Sequence, residues 1–269
     1  VELLAGHDHV LALGAPAFTY HVEGSGPHLP AGATLGLLTD DPTAAAWAPV
    51  GVAAVGNLRL GVADLLARPA PRPRPEPAPR AAVPRVAPPA AGERLSVAYV
   101  LQTLAELRDP GDVVVEEAPT ARPVMQRHLP FTRSETFYTM CSGGLGHSMP
   151  AAVGIALARP AAKVIGLIGD GSAMYSIQAL WSAAQWRLPI TFVILKNRRY
   201  AALQEFAPVF GFAPGEVPAG TELPDIDFCA LARGQGCAAV HVADASTLHE
   251  HLARALKSPV PILVEVDVA

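Results

Sequence analysis

Two kinds of apolar pattern alternate along this 269-residue chain. Short unbroken apolar runs, at 164–168 and 190–195, frame a stretch in which Ile177, Leu180, Trp181 and Ala184 recur at helical spacing. The runs are too apolar for strands with one wet face, so they predict strands buried on both sides in a parallel sheet, with a helix over 176–186 between them. The same reading gives strands at 10–13, 34–38 and 51–55 and a helix at 58–66. Further on it gives a helix at 97–107 with Ser96 as its N-cap, strands at 112–116 and 137–140, and a helix at 149–158 with Pro150 in its first turn. A helix at 228–234, a strand at 239–242, a helix at 246–256 and a strand at 261–266 close the chain. Strands alternating with helices predict an α/β fold with a doubly wound parallel sheet.

One segment breaks the pattern. PAPRPRPEPAPRAAVPRVAPP, beginning at Pro69, cannot pack a core and favours extended polyproline II. It reads as an interdomain spacer over 69–92, with a proline-rich docking ligand as the other reading. The spacer divides a complete α/β domain at 93–269 from a partial one at 1–68. The partial domain looks like the second half of a Rossmann-like sheet.

Candidate chemistry lies at the carboxyl ends of the two central strands, where open α/β sheets bind ligands. The first run ends in Gly169-Asp170-Gly171 and the second at Asn197. A carboxylate and an amide oxygen are hard donors suited to Mg²⁺ or Ca²⁺. Gly171 allows close approach, and the amides of Ser172 and Ala173 at a helix start receive anions. Alone, Gly-Asp-Gly is an ordinary turn; with Asn197 it describes a metal–diphosphate site.

That arrangement resembles the cofactor motif of the thiamine-diphosphate enzymes. GDGSAMYSIQALWSAAQ and PDIDFCALARGQG are most similar to the benzoylformate decarboxylase family, over nearly the whole chain from about Leu11. The resemblance implies thiamine diphosphate and Mg²⁺ as cofactors and non-oxidative decarboxylation of a benzoylformate-like 2-oxo acid to an aldehyde and CO₂. It implies Asp170, Asn197 and the carbonyl of Arg199 as metal ligands. Thr120, Gly143, Gly144, Leu145, Gly169, Gly171, Ser172, Ala173, Tyr200 and Ala201 would hold the cofactor. Gly143 would accept from the aminopyrimidine, and Leu145 would wedge between the two rings. Ala202, Leu203 and Phe206 would line the substrate pocket, and His21 would return a proton once CO₂ has left. Glu117 is either pocket wall or a solvated strand end.

The motif also departs from the family. Its usual Asn-Asn-Gly is Lys196-Asn197-Arg198 here, and Met174 replaces a commonly polar residue. Arg198 must take a backbone conformation that glycine adopts freely, and it either tightens phosphate binding or distorts the loop. The family's N-terminal pyrimidine-binding domain, which supplies a glutamate, has no counterpart in this sequence. The chain is therefore expected to be inactive alone, as part of a longer protein or one subunit of a split enzyme, working as a homodimer or homotetramer. An acetohydroxyacid synthase-type carboligase and an inactive cofactor-binding relic are the alternatives.

Composition removes other classes. A net charge of −4, with 20 scattered Lys and Arg, argues against a nucleic-acid surface. No apolar stretch reaches the roughly 18 residues of a membrane span. Cys141, Cys229 and Cys237 show no CxxC spacing, and a reducing cytoplasm is expected. The pairs His7/His9 and His249/His251 sit at i, i+2, which on a helix points the rings apart. Cys141 has no recognisable base near it.

Overall fold

The computed structural model of the chain describes residues 4–18, 26–69, 82–90, 92–140 and 143–269, which fall into two compact units, 1–79 and 80–269. In the first unit, β1 (His9–Leu13), β2 (Thr34–Thr39) and β3 (Val52–Val55) form a parallel sheet in that order. Helix α1 (Pro42–Ala46), unforeseen from the sequence, is capped by the Asp41 carboxylate accepting from Thr43 N at 2.8 Å. Only five residues long, α1 is too short to show helical periodicity. Helix α2 (Leu58–Ala67) is capped by Asn57. Leu35 and Leu37 of the central strand are buried, while Leu11, Leu13, Val52 and Val55 on the outer strands stay exposed.

In the second unit the chain runs through α3 (Val97–Leu107), β4 (Val113–Glu117), α4 (Arg122–His128), β5 (Phe137–Thr139), α5 (Ser148–Ala158) and β6 (Val164–Gly169). It continues through α6 (Asp170–Ala173), α7 (Ala179–Gln185), β7 (Ile190–Lys196), α8 (Ala201–Phe206), α9 (Phe228–Gly234), β8 (Ala238–Val242), α10 (Ala245–Leu256) and β9 (Ile262–Asp267). The expected helix over 176–186 thus begins at Ala179, because the chain first makes the single turn α6 and a run of turns. Helices α4 and α8 are also additions to the predicted set. Ser96 caps α3 as expected, its hydroxyl accepting from Tyr99 N at 3.2 Å.

All six strands are parallel, in the order β5-β4-β6-β7-β9-β8. Alternating residues of the buried runs supply two cores. Val114, Ile165, Leu167, Val193 and Val264 pack with α3, α4 and α10; Val113, Val115, Val164, Ile168, Phe192 and Ile194 pack with α5, α7 and α9. Gly166 makes room for Phe192, whose ring lies 2.9 Å from where a Cβ would sit. From β4 the chain moves outward to β5, then crosses back to β6 on the other side. The junction of β4 and β6 is therefore the topological switch point, where such sheets leave a crevice at their carboxyl ends.

Of the predicted spacer, residues 82–90 carry no regular secondary structure but dock on α3. Val86 exchanges two hydrogen bonds with the Gln102 side chain, at 2.8 and 3.2 Å, and Arg85 pairs with Glu106. No helix among the described residues is long and apolar enough to cross a membrane.

Candidate active site

A cavity of about 570 Å³ opens at the switch point. Strand β4 ends into its wall through Ala118 and a 3₁₀ turn, Pro119–Ala121, that presents Thr120. Strand β6 delivers Gly169, Asp170, Gly171 and Ser172, and β7 delivers Asn197 and Arg199. Tyr200, Ala201, Ala202 and Leu203 come from the start of α8, and Gly143 and Leu145 from the loop before α5.

Asp170 is 4% exposed, and burial pushes its carboxyl up while backbone amides pull it back. Its Oδ1 accepts from Gly171 N at 2.8 Å and its Oδ2 from Arg198 N at 2.6 Å. A carboxylate has about four acceptor positions, so two bonds leave lone pairs for a cation. Asn197 Oδ1 accepts from Arg199 N at 3.1 Å, an Asx turn that fixes the oxygen beside the strand end. Gly171 cannot carry a side chain, because a Cβ would lie 2.4 Å from the Tyr200 ring.

Arg198 has φ +64°, the left-handed conformation expected from its position, which costs a non-glycine residue roughly 1–2 kcal/mol. Its guanidinium does not line the cavity. Lys196 and Arg198 border a second cavity of about 480 Å³, whereas Asn197 and Arg199 border the first. The loop therefore carries the Arg198 side chain on the side away from the first cavity.

The loop before α5 is held by a residue the sequence left open. Glu117 is neither cavity wall nor solvated: it is 1% exposed, and its two oxygens accept from Gly146 N and Ser148 N, both at 2.6 Å. The carboxylate thus caps α5, whose own N-cap residue, His147, makes no side-chain cap. The Ser148 hydroxyl adds a bond to Glu116 O at 2.9 Å. Glu117→Gln turns one acceptor into a donor facing an amide, and we expect a loss of about 1.5–3 kcal/mol in urea unfolding. A change below 0.5 kcal/mol (on the order of a neutral surface substitution) would remove Glu117 as the clamp.

Several expected residues lie elsewhere. Ala173 is fully buried in the core shared with α5 and α7, because α6 turns it inward. Gly144 and Phe206 do not border the cavity, and Phe206 is 44% exposed. His21 and Cys141 fall outside the described residues. Tyr175 borders the cavity unforeseen; burial, and with it the neighbouring Tyr175, raise the Tyr200 phenol. Its signal was an aromatic hydroxyl five residues after Asp170. Potential metal clusters among the described residues include neither discounted histidine pair.

Residues 120–266 match the model of the thiamine pyrophosphate enzyme C-terminal TPP-binding domain. The chain belongs to the thiamine pyrophosphate enzyme family. It is 43% identical to the benzoylformate decarboxylase of Pseudomonas aeruginosa over 98% of its own length and 49% of that protein's. A putative acetolactate synthase large subunit of Mycobacterium tuberculosis is 34% identical over 58% of this chain and 31% of its own. Among solved structures, a thiamine diphosphate-dependent 4-hydroxybenzoylformate decarboxylase of Rhodococcus jostii RHA1 superposes with a TM-score of 0.86 at 36% identity, covering 99% of this chain and 50% of that one. A benzoylformate decarboxylase of Polynucleobacter necessarius gives 0.87 at 30% identity, covering all of this chain and 50% of that one. The chain thus spans about half the length of these decarboxylases.

Proposed function

We propose that this chain is the diphosphate-binding part of an enzyme that decarboxylates a benzoylformate-like 2-oxo acid to an aldehyde and CO₂, using thiamine diphosphate and Mg²⁺. The observation that carries the reading is the joint lining of one cavity by Asp170, Asn197 and Arg199 together with Gly143 and Leu145. Three oxygen donors, one of them a buried carboxylate with lone pairs to spare, fit a hard divalent cation. Glycine at 143, with φ +77° and nothing within 4 Å of a Cβ position, leaves its backbone open to a planar ring.

Thiamine diphosphate, when bound, supplies the nucleophilic carbon and the electron sink for CO₂ loss. The chain's own part is to bind, orient and exclude water. Asp170, Asn197 and the Arg199 carbonyl would hold Mg²⁺ against the diphosphate, with the first-turn amide of Ser172 adding a donor. Leu145 would set the angle between the cofactor rings. Ala202 and Leu203 would form an apolar wall for the substrate's side chain, and the His21 imidazole would move the proton that replaces CO₂. A pyrimidine-binding domain would come from the rest of a longer protein or from another subunit, and a cytoplasmic homodimer or homotetramer fits this reading.

The test is the full-length protein with Mg²⁺ and thiamine diphosphate, assayed for CO₂ and aldehyde from benzoylformate and from aliphatic 2-oxo acids. Equimolar aldehyde and CO₂, with benzoylformate favoured, is the expected result. Acetohydroxy acid from pyruvate would replace this reading with the carboligase, and cofactor binding without turnover would replace it with the relic.

A further inference from the structure

Arg198 combines a glycine-like backbone with an anchored side chain. Its N–H donates to Asp170 Oδ2 at 2.6 Å, and its carbonyl accepts from Leu223 N at 2.8 Å. Its Nη2 lies 3.5 Å from Oδ2 of Asp267, the last residue of β9 and the cross-strand neighbour of Lys196. The same Oδ2 lies 3.2 Å from His241 Nε2 on β8. Asp267 Oδ1 is buried without a hydrogen-bond partner, so the carboxylate acts through the oxygen that faces Arg198 and His241.

We propose that Arg198 is a positioning residue for the oxygen donors of the cofactor loop. Its ion pair to Asp267 holds the left-handed turn that glycine would make unaided. The turn aims the Arg198 N–H at Asp170 and sets Asn197 and the Arg199 carbonyl on the cavity side. Alternation along the loop makes this possible: the even positions 196 and 198 reach the charged cluster of β8 and β9, and the odd positions 197 and 199 face the cavity. This inference rests on the cofactor reading above.

A mutant cycle on the full-length protein tests it, read as the affinity for thiamine diphosphate and the Mg²⁺ concentration for half-saturation, by tryptophan quenching. Arg198 is half exposed, so the tether is modest, and D267N is expected to weaken binding about three- to tenfold. R198A, which keeps a Cβ and loses the anchor, should fall in the same range. R198G should stay within about twofold of wild type, because glycine needs no anchor, and D267N should add nothing in the R198G background. A D267N effect of equal size with and without R198G overturns the proposal, as does R198G falling to the level of R198A. If wild type binds no cofactor, the functional reading fails on its own. The cycle is then read in urea unfolding of the cofactor-free protein, where a D267N effect that shrinks in R198G to what the His241 contact accounts for still supports the tether, and additivity still overturns it.

Discussion

Replacing Asp170 with alanine is expected to weaken Mg²⁺-dependent cofactor binding by at least about 100-fold and to reduce kcat/KM in step. Losing a group that only supports a metal ligand already costs about 10–100-fold, and Asp170 is the only carboxylate among the three proposed donors. The loss is compounded in the loop, because Oδ1 and Oδ2 bind the amides of Gly171 and Arg198. Both amides belong to the turns that carry the other contacts, so the cavity loses its charge and its shape together. Stability should change much less, because removing a carboxylate whose burial is unfavourable offsets part of the two lost bonds. Cofactor titration at several Mg²⁺ concentrations, beside urea unfolding, separates the two effects. A D170A protein that binds thiamine diphosphate with an unchanged Mg²⁺ requirement would remove Asp170 from the site.

The largest effect on folding is expected at Lys196, not in the cavity. Its ammonium pairs with Glu265, and the two side chains are 10% and 4% exposed. Glu265 Oε2 also accepts from Cys229 N at 3.0 Å at the start of α9, and the ammonium lies 6.0 Å from the Phe228 ring centroid. Lys196→Met leaves a buried carboxylate without its cation, and a loss of about 3–5 kcal/mol is expected. The K196M/E265L double variant should recover most of it, since apolar groups of similar volume replace a buried pair at little net cost. Urea unfolding of wild type, both single variants and the double variant gives the coupling directly. A K196M loss below about 1 kcal/mol, the range of an exposed pair, would mean that water reaches Glu265.

Lys196 also shows where sequence reading stops. Read along the chain, it is a departure from a motif; in three dimensions it neutralises a carboxylate sixty-nine positions away, on a strand that is its neighbour only through the sheet order. Glu117 is the same kind of residue. A glutamate ending an apolar strand reads equally well as wall or as solvated end, and only the return of the chain as α5 shows it to be a buried cap. Ala173 and Phe206 fall next to residues that line the cavity, but the facing of a one-turn helix and of α8 depends on packing, not on spacing.

What the sequence by itself determined was the set of parallel strands, most of the helices, and the positions of Gly169-Asp170-Gly171 and Asn197 at strand ends. Those follow from local rules: unbroken apolar runs cannot face water, and polar residues that end them must lie at the rim of the sheet. It also determined that Arg198 would need a left-handed backbone, because the motif sets the turn whatever residue occupies it. Tertiary structure alone decided the crossover that puts the switch point between β4 and β6, the side of the loop on which each of residues 196–199 emerges, and the partners of Glu117, Lys196 and Asp267. Those are contacts between residues far apart in the chain, set by strand order and register, and no local pattern of apolar and polar positions encodes them.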